Sequence, residues 1–474
     1  MKKTFLAVLM TTVFLPCLVE ATETTVDLNS QKNLNMVIYN NDMALVKDTR
    51  SVPMAMGSNE IAYAGISGQI IPSSVVLEGK GITFLENNFN FDVLSYESLL
   101  QKSIGQTVTA EYLNPKSGIL ETTSAELLAV NNGRPILRIN GKIDATFPGY
   151  VVFHHLPANL RVEPTLVMNV ATKQPGKQDL TLNYLTHGLS WNASYVAQLS
   201  ADNKTMTLDG WVSLTNNSGM DYKDAHMQVV AGDVHMTPER PMVRKSAMRV
   251  GGFADTLESN SVMIQENIAD YHMYTLPRTT TILNNQTKQV SLLSANNVGI
   301  QKEYTFKGLQ PDQEMKNVKP TVNIRFTNKK ENQLGIALPR GVVRLYQADS
   351  KGNLVFVGED RINHVGNLEE VTLNMGTAFD ISANAKLADQ KSWSEARPNR
   401  DAVRVHEKTY EIIVKNGNTF PTKVNVEEHF YGQHVKIISE TVPSEKTADA
   451  TYRWPLDLPA EGEVKMNYTV RWED

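Results

Sequence analysis

The chain reads as a mainly β protein: several antiparallel β-domains, ending in one or two immunoglobulin-like β-sandwiches, with one short helix near residues 95–104. Three observations predict this. Apolar and polar residues alternate in short runs along most of the chain, and successive side chains of a strand leave opposite faces. Clusters of Asn, Gly, Ser and Asp recur between those runs, where they favour turns. Helical spacing of apolar residues is confined to short stretches.

The elements follow in order. Met1-Lys2-Lys3 is a basic start, residues 4–18 form an apolar run too short and interrupted for a membrane span, and Val19-Glu20-Ala21 presents a peptidase site. Residues 1–21 are therefore expected to be a signal peptide cleaved after Ala21. Cys17 lies near the end of the apolar run, but Phe14-Leu15-Pro16 lacks the small residue a lipobox places beside its thiol, which argues against a lipoprotein. Cleavage would remove the only cysteine. A chain of roughly 450 residues can do without disulfides, since it has interior enough for two to four domains. The basic start and missing thiols point to a periplasmic or secreted protein of the bacterial envelope.

Residues 22–94 are expected to form an N-terminal β-domain, with strands at 36–39, 44–48, 60–63, 74–77 and 82–85 separated by turns such as Asn40-Asn41-Asp42. In 95–103 and just beyond, Leu99, Leu100 and Ile104 fall at helical spacing and predict a helix of two or three turns. Strands then resume with Gly105, Gly118, Gly133 and Gly141 at their joints, so 95–164 reads as the helix plus a small barrel-like unit. Residues 165–474 carry longer strands. Two of them, 322–327 and 464–472, alternate cleanly, and the second has one wholly apolar face, as a half-solvated sandwich strand requires.

Two stretches break the pattern. Residues 236–275 have weak periodicity, carry Arg240, Arg244, Lys245 and Arg249, and turn mildly helical over 261–271. They read either as a mobile insertion without a role or as an interaction loop suited to an acidic partner or anionic headgroups. Residues 386–403, with Trp393, Arg397 and Arg400, read as a connection between strands.

Residues 184–234 are the most distinctive segment. The run from Met206 to Leu214 places apolar residues at alternate positions until Trp211 intrudes, and Asn216-Asn217-Ser218-Gly219 should end the strand. Trp191, Tyr195 and Trp211 are expected to plug the space between two sheets while each sends a polar atom to a partner. Leu185-Thr186-His187-Gly188-Leu189-Ser190-Trp191, Leu214-Thr215-Asn216-Asn217-Ser218-Gly219, Val230-Ala231-Gly232-Asp233-Val234 and, farther on, Tyr410-Glu411-Ile412-Ile413-Val414-Lys415-Asn416 resemble the DUF4139 family, a domain of unknown function. The resemblance takes in Ile38-Tyr39-Asn40 as well, and so covers most of the chain beyond the signal peptide. Some relatives, the mucoidy-inhibitor-like proteins, carry a coiled coil before this domain. No sustained heptads occur here, so the chain reads as the variant without it. The resemblance implies no catalytic residues.

Chemistry is sparsely marked. No G-x-S-x-G, S-x-x-K, H-E-x-x-H, P-loop or G-x-G-x-x-G pattern occurs, which weighs against common hydrolases and nucleotide enzymes but not against a glycosidase. His154 and His155 are adjacent on a strand and should face opposite ways. Asp221, Asp224, His226, Asp233 and His235 gather around a turn without calcium-loop spacing, and read first as solvated turn acids. Glu427-Glu428-His429 is the odd case: Val424 and Val426 set a phase that turns Glu428 into the core. A core carboxylate needs a partner, such as an arginine from a neighbouring strand, or its pKa must rise.

A net charge of -5 with a pI near 6.1 argues against nucleic-acid binding. No later segment is apolar enough to span a membrane as a helix, and the irregular strand lengths argue against an outer-membrane barrel. The expectation is a non-enzymatic scaffold or interaction protein that meets an envelope protein or glycan, without a cofactor or metal. The rival is a carbohydrate-active or peptidase-like hydrolase whose carboxylates come together only in the fold.

Overall fold

The computed structural model describes residues 23–474 apart from 91–93, 116, 156, 158–159, 233–262, 269 and 399. The described residues are mainly β, with a single α-helix, Tyr96–Lys102, and six sheets. The helix starts where its sequence says it should. Ser95 accepts a hydrogen bond from the Ser98 backbone N–H while the Ser98 hydroxyl bonds back to the Ser95 N–H, a reciprocal cap.

The strand Thr205–Asn216 shows how alternation becomes packing. Met206, Leu208, Gly210, Val212, Leu214 and Asn216 are buried, and every residue between them is half-exposed. Trp211 therefore points away from the core, contrary to the sequence expectation, because its odd position belongs to the outer face. Trp191 and Tyr195 do fill the interior, and their polar atoms donate to the carbonyls of Val230 (3.2 Å) and Pro339 (2.7 Å). Gly210 makes room for Tyr195: a Cβ there would press on that ring and on Leu293.

Three apolar clusters organise the chain. The largest is shared by a five-stranded sheet containing Leu189–Leu199 and Thr205–Asn216, an eight-stranded sheet and a four-stranded sheet. In the eight-stranded sheet Gln31–Tyr39 runs parallel to Tyr222–Ala231, and Met43–Met54 pairs with Gly176–Thr186. In the four-stranded one Thr165–Thr172 lies between Gly57–Ala64 and Ile82–Asn90. Hydrogen-bonded sheets thus join residues from both sides of positions 94 and 164. The second cluster fills a C-terminal sandwich, where Trp454 stacks on Tyr468 at 4.4 Å. The third is the interior of a small unit between residues 100 and 151.

Two irregular stretches prove to be strands. The described residues of 263–275 are not helical: Ile264–Ile268 and Tyr271–Thr275 pair antiparallel on the edge of the eight-stranded sheet. Residues 386–403 are no mere connection, since they belong to the paired strands Ile381–Arg397 and Arg400–Asn416, of 17 residues each. Polar residues on both faces of this ribbon hid its period. Trp393 packs through its ring, with the Arg471 guanidinium 5.4 Å from its centroid.

Met43–Met54 carries the chief polar feature of the first core. Its inward phase, set by Val46 and Val52, also buries Asp48 and Arg50. The Arg50 Nε and one terminal nitrogen bond Asp48 Oδ2 at 2.9 and 2.7 Å, and the rest of the guanidinium donates to the carbonyls of Val26 (2.8 Å), Ala64 (2.6 Å) and Gly65 (3.3 Å). Gln31 Nε2 donates to the other Asp48 oxygen at 2.9 Å, and the guanidinium stands 4.7 Å from the Tyr63 ring centroid. Each charge is met inside the protein, so the desolvation cost of the pair is largely offset.

A different buried polar residue closes three strand ends. Asn216 donates to Met220 O (2.8 Å) and accepts from Ser218, Asn328 donates to Ile336 O and Gly366 O (both 2.8 Å) and accepts from Gly335 N, and Asn416 donates to Phe420 O and Pro459 O (3.0 and 2.9 Å) and accepts from Asn418. Each side-chain amide thus completes the backbone bonding of the turn that follows it.

Arg50→Met should lower unfolding free energy by about 3–5 kcal/mol, because Asp48 is left buried and unpaired. Adding Asp48→Leu should restore part of that loss, though not all, since three carbonyls still lack their donor. Urea denaturation of both variants checks this; a double variant weaker than the single one would contradict it.

Candidate functional site

The small unit builds the site. Thr107–Leu113, Leu120–Asn131, Arg134–Ile139 and Lys142–Asp144 form an antiparallel meander, and Tyr150–Val152 returns to pair with the first of these strands. The sheet stays open, since its edge strands Lys142–Asp144 and Tyr150–Val152 do not pair with each other, and one face of this half-barrel is apolar. Val108, Ala110, Ala125, Leu127 and Leu137 point inward with Val151, and Leu100 of the helix joins them. Tyr112 and its partner Glu121 continue the same inward phase about 13 Å along the strands from Val108, and Ile139 and Asp144 share that face on the next two strands, in the rows of Ala125 and Leu127. There the interior opens into a cleft of about 600 Å³ lined by these residues with Lys142 and Phe147. Gly149 brings the returning strand in closely: a Cβ there would overlap the Glu111 carbonyl and the Phe147 ring.

The polar groups of the cleft are held in place. Glu121 accepts from the Tyr112 hydroxyl through Oε2 and from Asn114 Nδ2 at 2.6 Å through Oε1. Those bonds keep its carboxyl below the usual range and raise the Tyr112 phenol, so Glu121 is ionised at neutral pH. Asp144 Oδ1 accepts from the Thr146 N–H (2.8 Å) and hydroxyl (3.2 Å). The Phe147 ring meets Tyr112 edge-on, 5.9 Å between centroids. Outside the cleft, Leu113 (63 %), Ile119 (64 %) and Leu120 (48 %) are exposed beside Tyr112 and Glu121, while Ile143 (66 %) is exposed at the other end of the sheet, in the row of Thr107. Leu113, Ile119 and Leu120, gathered at one turn of so small a unit, form an apolar patch of the kind interaction surfaces use.

The residues singled out from sequence lie elsewhere. Arg240, Arg244, Lys245 and Arg249 fall outside the described residues, as do Asp233, His235 and the expected signal peptide. Asp221, Asp224 and His226 do line one groove, of about 400 Å³, with Lys32 and Lys223. Asp221 there accepts from Asn284 N, and among the described residues no three His, Cys, Asp or Glu side chains are placed to hold a metal. His154 pairs with Thr109 at 2.8 Å, and His155 is exposed.

Glu428 is buried, as its phase predicted. Its partner is not an arginine. The carboxylate accepts from Gly308 N (3.1 Å), Leu309 N (2.7 Å) and Gln310 Nε2 (2.7 Å), so it organises the loop after Gln301–Lys307, while Arg453 goes to Glu427 on the outer face. Burial pushes Glu428 up to about 7 against the pull of those donors. His429 and His434 turn to Thr451 and Glu473, so the cluster does not converge.

Sequence reasoning passed over the barrel cleft because Tyr112, Glu121, Asp144 and Phe147 are spread across four segments with no motif among them. One signal was available: Leu113, Ile119, Leu120 and Ile143 stand beside turns, where apolar residues have no core to fill.

Among the described residues no helix is long and apolar enough to cross a membrane. The chain matches the model of a family described as Domain of unknown function (DUF4139) over residues 180–473. The matched segment begins after the small barrel. No curated protein matches the chain.

Two outcomes follow from this geometry. Gly149→Ala should open the barrel at its returning strand, and hydrogen exchange should show protection lost over 107–113 and 150–152 with the C-terminal sandwich unchanged. Glu428 has a folded pKa above its unfolded value of 4.5. Its stabilising contribution is therefore complete below pH 4.5 and lost as the pH rises through about 7. Relative to Glu428→Gln, the protein should lose about 3 kcal/mol between pH 4.5 and 8; parallel stability–pH curves would contradict that.

Proposed function

The chain belongs to the DUF4139 family, and we propose that this member is an exported, non-enzymatic protein of the bacterial envelope that binds an envelope protein or glycan at the cleft of its small half-barrel unit. The observation that carries this reading is a polar cleft whose Tyr112–Glu121 side adjoins the exposed apolar residues Leu113, Ile119 and Leu120. Binding sites combine concave polar anchors with apolar contact area in this way. The basic start and apolar run of residues 1–18 support export. The sheets behind the barrel hold it: residues 57–64, 82–90 and 165–172, on either side of its segment, share one sheet.

A hydrolase remains the second reading on one specific observation, that Glu121 and Asp144 line the same cleft. Acid–base hydrolysis of a glycoside needs one carboxyl protonated. Glu121 does not meet that need, since Tyr112 and Asn114 occupy both oxygens and hold it ionised. The binding reading uses it as it stands.

A photoreactive residue at position 113, directly across from Leu120, should give a discrete adduct in intact envelopes that Leu120→Glu removes. An adduct pattern unchanged by Leu120→Glu would refute the binding surface. Turnover of a peptide or glycan by the purified chain, abolished by Asp144→Asn, would establish the hydrolase instead.

A further inference from the structure

We infer that the outer edge of the strand Ile381–Arg397 pairs with the same edge of a second copy of this chain, antiparallel and about a two-fold axis at Trp393. This surface belongs to the C-terminal sandwich and is independent of the small unit. One side of the strand is paired with Arg400–Asn416 from Ile381 to Arg397. On the other side Met315–Val318 meets it only at Ala383 and Ala385, so from Lys386 onward no strand among the described residues covers that edge. Residues 388–396 are all exposed. An uncovered strand edge carries a row of peptide N–H and C=O groups that a further strand can satisfy.

Strand geometry restricts how two identical edges meet. Residues directly opposite in an antiparallel pair face the same side of the sheet, so the two-fold axis must pass where one residue faces its own copy. Bulges after Leu387 and after Glu395 delimit the regular stretch, whose middle residues are Lys391, Ser392 and Trp393. An axis at Lys391 sets that ammonium against itself. An axis at Ser392 sets Asp389 against the second copy's Glu395. Like charges in direct opposition destabilise a strand pair. An axis at Trp393 instead sets Lys391 against the second copy's Glu395, twice by symmetry, and Ser392 against Ser394, with the two indoles side by side at the centre.

The charges already on the sheet agree with this register. Lys391 stands across from Glu407, and Glu407 across from Arg471, with which it forms an ion pair. From the edge inward the row therefore reads plus, minus, plus, and the place outside Lys391 calls for a carboxylate. Glu395 faces Val403 on its own sheet, which leaves its charge free to answer. At the start of the stretch Asp389 Oδ1 accepts from the Gln390 N–H at 3.0 Å, so pairing begins beyond that residue. Trp393 is 38 % exposed, and the Arg471 guanidinium at 5.4 Å from its ring centroid holds the indole at the axis.

The test is sedimentation velocity of the full chain over a wide range of concentration, unaltered and with two charge reversals. The unaltered chain should dimerise reversibly. Lys391→Glu and Glu395→Lys should each weaken self-association about tenfold, because attraction turns to repulsion at two symmetric pairs. Mixed in equal amounts, the two variants should dimerise again, since every pairing of 391 with 395 between them joins opposite charges; a misfolded ribbon would not recover on mixing. A chain that sediments as a monomer throughout, a dimer indifferent to both reversals, or a mixture that stays monomeric would each overturn the inference. The axis is read independently by Trp393→Cys combined with Cys17→Ser, which removes the chain's one native cysteine. Mild oxidation should link two copies at position 393, because opposed residues of an antiparallel pair have Cα atoms about 4.5–5.5 Å apart, within disulfide reach. Failure of that link to form would overturn the axis at Trp393.

Discussion

The buried Asp48–Arg50 pair is the constraint around which the N-terminal half is arranged. One guanidinium reaches the strand Thr24–Val26 through the Val26 carbonyl, the end of Gly57–Ala64 through Ala64 and Gly65, and its own strand through Asp48. It therefore pins the four-stranded sheet to the eight-stranded one at a single point. No apolar side chain of that size could satisfy three carbonyls. The arrangement trades tolerance for definition: a burial that is easily lost if one partner changes, and one geometry that meets every donor and acceptor while both are present.

The same logic recurs at smaller scale. Asn216, Asn328, Asn416 and Glu428 are all buried polar side chains, and all of them mainly serve backbone groups of nearby loops. A sandwich closes its faces with apolar residues, but its strand ends must turn, and turning leaves peptide groups without sheet partners. These four residues answer that need. Their burial is thus architectural, including the raised pKa of Glu428. The cleft of the small unit differs, because there inward-facing polar positions such as Glu121 and Asp144 share a face with the apolar layer and reach solvent.

How far each feature could be read in the residues depends on how local its cause is. The helix at Tyr96–Lys102 was legible because its cap and its apolar spacing lie within ten residues. The burial of Glu428 was legible too, because Val424 and Val426 give the strand its phase. Its partners were not, since they come from 308–310, more than a hundred residues away. Trp211 was misplaced for the opposite reason: its size suggested core, while strand parity assigns it to the outer face. Likewise the ribbon of Ile381–Arg397 and Arg400–Asn416 escaped notice because much of it is exposed on both sides and lacks an apolar period.

The amino-acid pattern alone therefore established a mainly β chain, the helix at Tyr96–Lys102 and the family resemblance, all of which follow from alternation and short-range chemistry. It did not disclose which strands share a sheet, that Arg50 would find three carbonyls, or that Tyr112, Glu121, Asp144 and Phe147 would surround one cleft. Strand pairing joins segments at any sequence separation, and its hydrogen bonds are made by backbone groups that every residue carries. Only the folded arrangement selects among the pairings, and with them the cleft.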